Sequence, residues 1–524
     1  MKKNKKKYVI IAIILIALIV ALIVTYFVVF KKKTNNNEID NKVTNYNSPY
    51  EIKDNTLQAF DLYFMQLENN KKNMVYSPLS IKYALSMLRE GTIGSSNKEL
   101  NNIISNYDIK TYDTTKNLSL ANAFFIKDDY KKNIKDSFIK TLKEKYNAEI
   151  IYDSFETPDN INNWIKEKTL GLIPNILDDV KDNTYFLVNA LGVDMDWKYV
   201  IQEAYTEHNN LNVYNDGHRH YAGFGVSYAH ENYFVGVDVI NDDYYPVLPF
   251  DNNRLKVKSV EFASSINNYD IINELGEANI RKIVGEEYEK WLASGECGGS
   301  DETTEELLNR YIKELSKGYK DVGTSTDYKF YIDSDVKVFQ KELKNYNGLE
   351  LEYIALMPRK ELLSDYIKNI DKDKISNYIN DLKSIELNNF EKGKITKITG
   401  KLPLFEMTYD LDIKSDLEKL GVQSIFKEGY ARLDKLSTDK SSYISTIKHR
   451  ANFEFSNEGI KASAATVGGG AGDMSCEFDY LFDVPVVEID MNFDKPFMFI
   501  LEDKKTKEVW FMGTVYDPII ADYE

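Results

Sequence analysis

The feature that most constrains this chain is an uncharged apolar run near its amino terminus, residues 8–30. As a helix at ~1.5 Å per residue, the run spans roughly 35 Å, which is enough to cross a lipid bilayer. No small residues typical of a signal-peptidase site follow it, so we predict that the segment stays in place as a transmembrane signal anchor. The rest of the chain must then fold on one side of a membrane.

Lysines on both sides of the run predict its orientation. Five lie within residues 1–7, and three follow the run at Lys31, Lys32 and Lys33. Because the more basic flank stays in the cytoplasm, we predict a cytoplasmic basic tail at 1–7 and an extracellular carboxy-terminal domain. The protein would be a single-pass protein of the cell membrane. Residues 31–48 are polar and rich in Asn, which predicts a flexible tether.

The remainder, residues 49–524, has the composition of a folded protein. The chain of 524 residues is 43% apolar and contains 26 Phe and 37 Tyr, more than a disordered chain carries. Its net charge of −16 argues against nucleic acid as a partner, because such binding depends on Lys and Arg. Cys297 and Cys476 are the only cysteines, so the fold is not a disulfide scaffold; the two either pair or remain free thiols.

Helical periodicity and strand-like runs are mixed along this region. Residues 55–67 and 80–89 have apolar side chains at helical spacing, whereas residues 185–190 and 351–357 are typical of strands. Helices come first and strands cluster later. This order favours an α+β fold over a regular alternation of strands and helices.

Several blocks of sequence resemble the serpin family. One block reads NMVYSPLS from Asn73, and the sharpest pair reads FDKPF from Phe493 and FMGTV from Phe511. Weaker blocks follow in the family's order, among them LANAFF from Leu120, LVNA from Leu187 and LPLF from Leu402. The resemblance covers residues 50–200 and 328–520. It implies the serpin fold, in which helices pack around three β-sheets and a reactive-centre loop is exposed.

The resemblance implies a protease inhibitor rather than an enzyme. In serpins, a protease cuts the reactive-centre loop and becomes acyl-linked to it, and it is trapped when the upstream half of the loop enters the main sheet. We therefore expect a suicide inhibitor of an extracellular serine protease, or of a cysteine protease, that is monomeric and needs no cofactor. The alternative is a non-inhibitory serpin-fold binding or adhesion module that works through its insertion.

Residues 457–485 are expected to form the reactive-centre loop. A glycine precedes a run of very small residues here, which resembles the hinge of inhibitory serpins. The side chains of a strand point alternately to its two faces, so Lys461 faces outward if Ile460 faces the core. The inward-facing side chains that follow Ile460 are therefore all small. Ile460 is larger than the Thr or Ser usual at the first inserting position. The expected hinge residues are Glu458, Gly459, Ile460, Ala462, Ser463, Ala464, Ala465 and Thr466.

The scissile bond is ambiguous because this loop is longer than is usual in the family. Counting forward from Gly459 places the bond at Asp473 or Met474, whereas counting backward from the FDKPF block gives a later position. We favour the forward count and the bond between Met474 and Ser475, because an inserted strand of roughly 50 Å then spans the molecule. The glycines at 468–470 suit a flexible bait for a protease, and a plain flexible linker is the alternative.

Four polar residues interrupt apolar runs, and we expect them to find hydrogen-bond partners in one another: Ser77, Ser80, Asn189 and His449. In serpins the matching positions form a polar cluster beneath the place where the central strands part. Trp197 matches the residue that caps the top of this opening. We interpret His449 as a buried structural histidine rather than a catalytic one.

Residues 205–327 are longer than the family requires between its matching blocks, which predicts an insertion. Two helices are expected in it, at residues 277–293 and 302–317, with Ser300 and Asp301 as a cap of the second. Four histidines lie in or beside the insertion: His208, His218, His220 and His230. Two of them, in the sequence HRH, could serve as metal ligands. Without a Cys or carboxylate at ligand spacing, we favour an ordinary polar loop and expect no metal site.

Overall fold

The computed structural model describes residues 48–198, 213–215, 220–222, 237–240, 243–246, 259–267, 271–295, 301–316, 328–384, 394–456, 459–460, 478, 480, 485–516 and 518. Helices and strands are mixed along these residues, so the predicted α+β class is confirmed. The helices are α1 (Ala59–Glu68), α2 (Pro78–Glu90), α3 (Gly94–Ile104), α4 (Asp136–Tyr146), α5 (Asp159–Lys168), α6 (Ile271–Leu275), α7 (Glu277–Ser294), α8 (Thr304–Ser316), α9 (Leu363–Asn369), α10 (Lys372–Asp381) and α11 (Ile413–Lys419).

The described strands form five sheets. The strands are β1 (Met74–Tyr76), β2 (Leu118–Lys127), β3 (Glu149–Asp153), β4 (Tyr185–Val193), β5 (Met195–Asp196), β6 (Val213–Asn215), β7 (His220–Ala222), β8 (Val237–Ile240), β9 (Asp243–Pro246), β10 (Ser259–Asn267), β11 (Tyr328–Ile332), β12 (Val336–Glu342), β13 (Leu351–Pro358), β14 (Ile395–Pro403), β15 (Phe405–Leu411), β16 (His449–Phe455), β17 (Gly459–Ile460), β18 (Val486–Asp490), β19 (Phe497–Asp503) and β20 (Val509–Val515).

The largest sheet has six strands in the order β1-β20-β19-β13-β12-β11, and all neighbouring strands are antiparallel. Every residue of β13, β19 and β20 is buried, which explains why these strands are largely apolar rather than alternating, even though Glu352, Glu502 and Asp503 are among them. The packing leaves no room at Gly513, where a Cβ would collide with the carbonyl of Met74 on β1. This sheet forms the centre of the main hydrophobic core.

Helix α2 lies behind the strands that carry the candidate site. It begins at Pro78, and the Ser77 side chain accepts a hydrogen bond from the Ser80 backbone N–H as its N-cap. The buried side chains of Leu85 and Leu88 lie on it, and the helix packs against β4 and β20. The sequence predicted this helix at residues 80–89. It starts earlier because proline is well tolerated at the first helical position.

The main sheet implied by the family resemblance is present in two parts. One part has the order β3-β2-β4, parallel between β3 and β2 and antiparallel between β2 and β4. The other has the order β15-β16-β17-β5 and is antiparallel throughout. Only Asp194 separates β4 from β5 along the chain, so the two parts are joined at one end. The division is one reason why five sheets are described where three were expected.

The predicted insertion, residues 205–327, contains described strands and helices. Strands β6 to β9 form an antiparallel sheet of their own, whereas β10 pairs antiparallel with β14, which runs parallel to β18. Helices α7 and α8 confirm the two helices predicted there. The predicted cap at Ser300 and Asp301 is wrong, because Thr303 and Glu306 form the capping box of α8 through bonds of 2.9 and 3.3 Å.

Several predictions fall on residues that the structure does not describe. Among the described residues, no helix is long and apolar enough to cross a bilayer. The predicted anchor at 8–30 and the basic tail at 1–7 lie outside them, as does the tether apart from Ser48. Cys297 and Cys476 also lie outside the described residues, so their pairing stays a prediction.

Candidate functional site

Strands β4 and β16 border a cleft that divides the main sheet. Strand β4 is the edge strand of its part, and β16 pairs on the cleft side only at Phe455. Within the described residues, no ladder joins β4 to β16. The cavity between them has a volume of about 490 Å³ and is lined by residues of β4, β16, α2 and α5. Two strands that expose backbone N–H and C=O groups toward a common gap form a template for one more strand.

A short strand already occupies one end of this cleft. In β17, Ile460 pairs with Phe455 of β16 on one side and with Met195 of β5 on the other, and Gly459 pairs with Asp196. Both pairings are antiparallel, so β17 joins the two parts of the sheet at this end. We call it the hinge end of the cleft. A continuation of β17 in the same register would run into the space between β4 and β16.

Trp197 lies at the hinge end, directly after β5. Its side chain is fully buried, and its indole N–H donates to the carbonyl of Ser456 at 2.9 Å. The ring centroid lies 5.4 Å from that of Phe455 and 6.0 Å from that of Tyr353. Trp197 thus connects β5 to the end of β16 across β17.

Three of the four polar residues selected from the sequence lie together at the cleft. The backbone N–H of Ser77 donates to Nε2 of His449 at 3.0 Å, and the Ser77 hydroxyl oxygen accepts from the backbone N–H of Ser80 at 3.1 Å. All three residues line the cavity. The contacts connect the start of α2 to the start of β16.

The acceptor role of His449 requires a neutral imidazole. Burial lowers the pKa of His449 to about 4, and the nearby Asp410 carboxylate opposes this shift only in part. At neutral pH the ring therefore carries no charge and Nε2 is free to accept the Ser77 N–H. This environment suits a structural histidine better than a general base, which works best with a pKa near the working pH.

Asn189 has a different partner from the one expected. Its side-chain N–H donates to the amide oxygen of Asn122 at 2.9 Å, and Asn122 in turn donates to the carbonyl of Tyr146 at 2.9 Å. The Oδ1 atom of Asn189 is buried and has no hydrogen-bond partner among the described residues. Sequence reasoning missed Asn122, although a single amide inside the apolar strand β2 was a usable signal.

Arg450 bridges the cleft on the face opposite His449. Its guanidinium donates to both oxygens of Asp410 at 2.6 and 2.7 Å and to the Asn175 carbonyl, which precedes β4, at 2.8 Å. The ion pair raises the pKa of Arg450, and hydrogen bonding to Arg450 lowers that of Asp410. Sequence reasoning missed this residue too, because its partner before β4 is distant along the chain.

Comparison with known proteins identifies the family. The family model for serpins, the serine protease inhibitors, matches residues 53–218 and 322–518, which is more than half of the chain. The chain belongs to the serpin family. The unmatched stretch between these two segments, residues 219–321, lies within the predicted insertion of this serpin.

Individual serpins resemble the chain along most of its length. The human leukocyte elastase inhibitor is 24% identical over 488 residues, which cover 88% of this chain and 98% of the relative. Among solved structures, the thermophilic serpin tengpin in its native state covers 88% of this chain and 93% of its own, with 20% identity and a TM-score of 0.54. The match to human thyroxine-binding globulin covers 88% of this chain and 96% of the globulin, with 15% identity and a TM-score of 0.54. These structural similarities show a shared fold.

Only part of the serpin loop predicted at 457–485 is described. Gly459 and Ile460 form β17, and Phe478 and Tyr480 are described further along the chain. Glu458 and the remaining hinge residues lie outside the described residues. The candidate scissile residues, Asp473, Met474 and Ser475, lie outside them as well, so the position of the cut stays a prediction.

The described residues contain no group of three or more His, Cys, Asp or Glu residues that could hold a metal ion. Of the histidines in the predicted insertion, His220 begins strand β7. His208, His218 and His230 lie outside the described residues.

Proposed function

We propose that this serpin is a suicide inhibitor of an extracellular serine protease. The observation that carries the proposal is the position of β17 at the entrance of the cleft between β4 and β16, which no described strand fills. The protease serine would form an ester with the carbonyl before the cut, and the amine after the cut would leave. The upstream half of the loop would then enter the cleft and carry the attached protease with it.

The register of β17 defines how the loop would insert. Ile460 pairs with Met195 and Gly459 with Asp196, so continuing the same antiparallel register sets Ala462 opposite Val193 and Ala464 opposite Leu191. Both partners on β4 belong to the main hydrophobic core. The side chains that would insert on this face are therefore small at the positions that would face the core, as the sequence pattern predicts.

The same register would give a partner to the Oδ1 atom of Asn189, which has none among the described residues. Thr466 would stand directly opposite Asn189, and opposed residues in an antiparallel pair have Cβ atoms about 5 Å apart. A threonine hydroxyl at that distance can donate to the buried Oδ1 of Asn189. Satisfying a buried acceptor is favourable, so this contact would stabilise the inserted hinge relative to a hinge that stays outside the sheet.

We place the inhibitor on the outer surface of the cell. Residues 8–30 would anchor the chain in the membrane, and residues 31–48 would hold the serpin domain at residues 49–524 away from it. The apolar run and the lysines at 1–7 support this topology. We further propose that the inhibitor acts as a monomer with no cofactor, and that its partner is the target protease rather than nucleic acid.

A non-inhibitory role as a binding or adhesion module is the second candidate. Two observations favour it: the insertion carries its own packed helices, and the large Ile460 stands where small polar residues are usual in the family. The solved thyroxine-binding globulin, which has the same fold, is bound to thyroxine. In this role, the insertion would be the working surface and the cleft would stay unfilled.

Covalent trapping separates the two candidates. The full chain in detergent would be incubated with subtilisin, elastase, trypsin and chymotrypsin, and the products resolved by denaturing gel electrophoresis. We expect a band that resists SDS, with the summed mass of the protease and the upstream fragment, for at least one apolar-specific protease. Cleavage without such a band for any of the four would contradict inhibition and favour the binding module.

A further inference from the structure

Three glutamates stand side by side across the six-stranded sheet. Glu342 of β12 pairs with Glu352 of β13, and Glu352 pairs with Glu502 of β19. Because paired residues of an antiparallel ladder share one face, the three carboxyl groups lie in a row. Glu352 is 3% exposed and Glu502 is fully buried. Like charges that are directly opposed repel each other, so the row requires compensation.

Lysines compensate the row unevenly. Lys198 and Lys504 both donate to the carboxylate of Glu342. Burial acts in the opposite direction, but the hydrogen bonds from these two lysines lower the pKa of Glu342, so this carboxylate is ionised at neutral pH. Two of the three lysines around the row therefore serve the one glutamate that is least buried.

The third lysine lies between the two buried glutamates. Lys507 donates to Oε1 of Glu352, and its Nζ atom lies 3.1 Å from Oε1 of Glu502. Among the described residues, these two carboxyl groups share this single ammonium group. If both glutamates were ionised, the buried pair would carry one uncompensated negative charge.

The Glu502 carboxyl group lacks the partners that an ionised carboxylate needs. Neither of its oxygens accepts a hydrogen bond within the part of the chain that the structure describes. Gln340 of β12 instead donates to Oε2 of Glu352 at 2.8 Å, so these contacts favour an ionised Glu352. A buried carboxylate without hydrogen bonds is costly, whereas a protonated carboxyl group can donate to its neighbour. The arrangement therefore suits one proton held between the two glutamates.

Other carboxylates beside the pair have partners of their own. Asp503 accepts from the backbone N–H groups of Lys505 and Thr506 at 2.8 and 3.0 Å. Glu508 is buried and accepts from the hydroxyl of Tyr107 at 2.6 Å. The charge balance of the pair is therefore set by Lys507 and by the two glutamates themselves.

The shared proton is retained at neutral pH and lost as the pH rises. Burial raises the pKa of Glu502 from 4.5 to about 8; the Lys507 ammonium group opposes this rise, and Glu352 adds to it. Between these two values the folded protein binds a proton that the unfolded chain has released, so the contribution of the pair to stability falls as the pH increases. Above about 8, two opposed carboxylates are charged inside the fold.

The row of glutamates adjoins the hinge end of the cleft. Trp197, directly after β5, pairs with Leu343, and the backbone N–H of Lys198 donates to the carbonyl of Glu342 at 3.0 Å. The backbone N–H of Leu343 donates in turn to the carbonyl of Leu351 at 2.9 Å. The same ends of β12 and β13 therefore carry the glutamates and hold β5 in place.

We infer that Glu352 and Glu502 form an alkaline-pH switch: they share one proton at neutral pH, and its release loosens the strand ends that hold β5 and Trp197. The step is the ionisation of a carboxyl group, whose proton leaves to solvent. Repulsion between the two carboxylates then separates β13 from β19 at this end. The inference goes beyond the proposed inhibition and applies to either candidate function.

Infrared difference spectra test the shared proton. Full-length wild type and Glu502→Gln in detergent would be compared on both sides of pH 8, because a protonated carboxyl group absorbs at a higher frequency than a carboxylate. We expect a carboxylic-acid band in wild type that disappears with a midpoint near pH 8 and that Glu502→Gln lacks. Spectra without this difference would overturn the inference.

A second variant separates proton sharing from a structural role. Glu352→Gln leaves Glu502 alone with Lys507, so the like charge that raises the pKa of Glu502 is gone. The midpoint of the band should shift downward by about one pH unit or more. A midpoint that stays at the wild-type value would show that the two glutamates do not share a proton.

Hydrogen exchange tests the loosening at the hinge end. Amide exchange in β5, β13 and β19 would be measured on both sides of pH 8, with each rate divided by the intrinsic rate at that pH. Protection in wild type should fall about tenfold or more above the midpoint, which corresponds to one pKa unit of interaction. Glu502→Gln keeps the shape of the side chain and cannot ionise, so it should retain its protection.

The matched control is Glu350→Gln, which removes the more exposed carboxylate just before β13 that pairs with Lys505. It should lose protection as wild type does. Constant protection in wild type, or the same loss in Glu502→Gln, overturns the switch. No protease is used in these measurements, so their outcome is distinct from a failure to trap one.

Discussion

Polar residues at the cleft show that environment decides what a side chain does. His449 and Asn189 belong to the same predicted cluster, but one accepts a backbone hydrogen bond and the other keeps a buried oxygen without a partner among the described residues. The imidazole is held neutral by its surroundings. We therefore expect the two residues to respond to different changes: His449 to pH, and Asn189 to the arrival of another strand.

We predict that His449 makes the stability of the protein depend on pH. Its pKa is about 4 in the folded protein, below the ordinary value of 6.5, so between these values the unfolded chain binds more protons. Stability should accordingly fall as the pH decreases from about 6.5 to 4, by about 1–3 kcal/mol from this residue. Urea unfolding of wild type and His449→Gln across this range measures it, because Gln can accept the Ser77 N–H without titrating. Parallel stability curves for the two proteins would contradict the prediction.

The proposed mechanism depends on which face of the inserted strand a residue occupies, because one face would contact the core and the other would face outward. If the register of β17 continued along β4 as proposed, Ala462 and Ala464 would stand opposite Val193 and Leu191 of the core. Lys461 would lie on the opposite face, across from Asp194. A substitution on the core face should therefore affect insertion, whereas one on the other face should have little effect.

We predict that Ala464→Arg converts the inhibitor into a substrate. In the inserted strand the new cation would face the buried Leu191, and burying an unpaired charge costs several kcal/mol. The uncleaved fold should be little affected, because no described strand pairs with β4 along the cleft. The loop should be cut at the normal rate, yet the yield of SDS-resistant complex should fall at least about tenfold.

Lys461→Gln is the control for this substitution. Gln avoids the like-charge pair that a Glu would form with Asp194 on the outward face. The variant should trap protease as wild type does. If Ala464→Arg also traps protease at the wild-type yield, residue 464 does not enter the cleft and the inhibitory proposal is wrong.

At the scale of the whole molecule, the divided main sheet is a less stable arrangement than a continuous one. Eight of the nine residues of β4 line the 490 Å³ cavity, and no described strand pairs with β4 on that side. A strand that filled the cleft would add a ladder on each side and would cover the apolar residues beneath it. We therefore propose that the uncleaved protein keeps free energy that loop insertion would release.

We predict that cutting the loop stabilises the protein. A gain of about 5 kcal/mol raises the melting temperature by roughly 5 °C for a domain of this size. Thermal unfolding should be compared for intact protein and for protein nicked by a protease that cuts the loop without being trapped. The Ala464→Arg variant, nicked in the same way, should show a much smaller increase. Equal melting temperatures for intact and nicked wild type would favour the binding-module alternative.

Much of the fold could be predicted from local pattern. The helix at α2, the strand at β13 and the two insertion helices were recognisable because apolar spacing reports secondary structure, and the serpin family was recognisable from blocks such as FDKPF. The small residues after Gly459 likewise predict inward and outward faces, since strand alternation is a local property.

Contacts between distant segments were decided only by the tertiary structure. The sequence by itself does not show that Asn122 pairs with Asn189, or that Phe478 packs on Tyr288 and Tyr311 of the insertion. These pairs are separated by many residues, and their hydrogen bonds and ring contacts depend on strand register and helix packing rather than on local spacing. The sequence therefore determined which loop residues would insert into the sheet. The tertiary structure decided which strand residues would pair with them and which insertion residues contact Phe478.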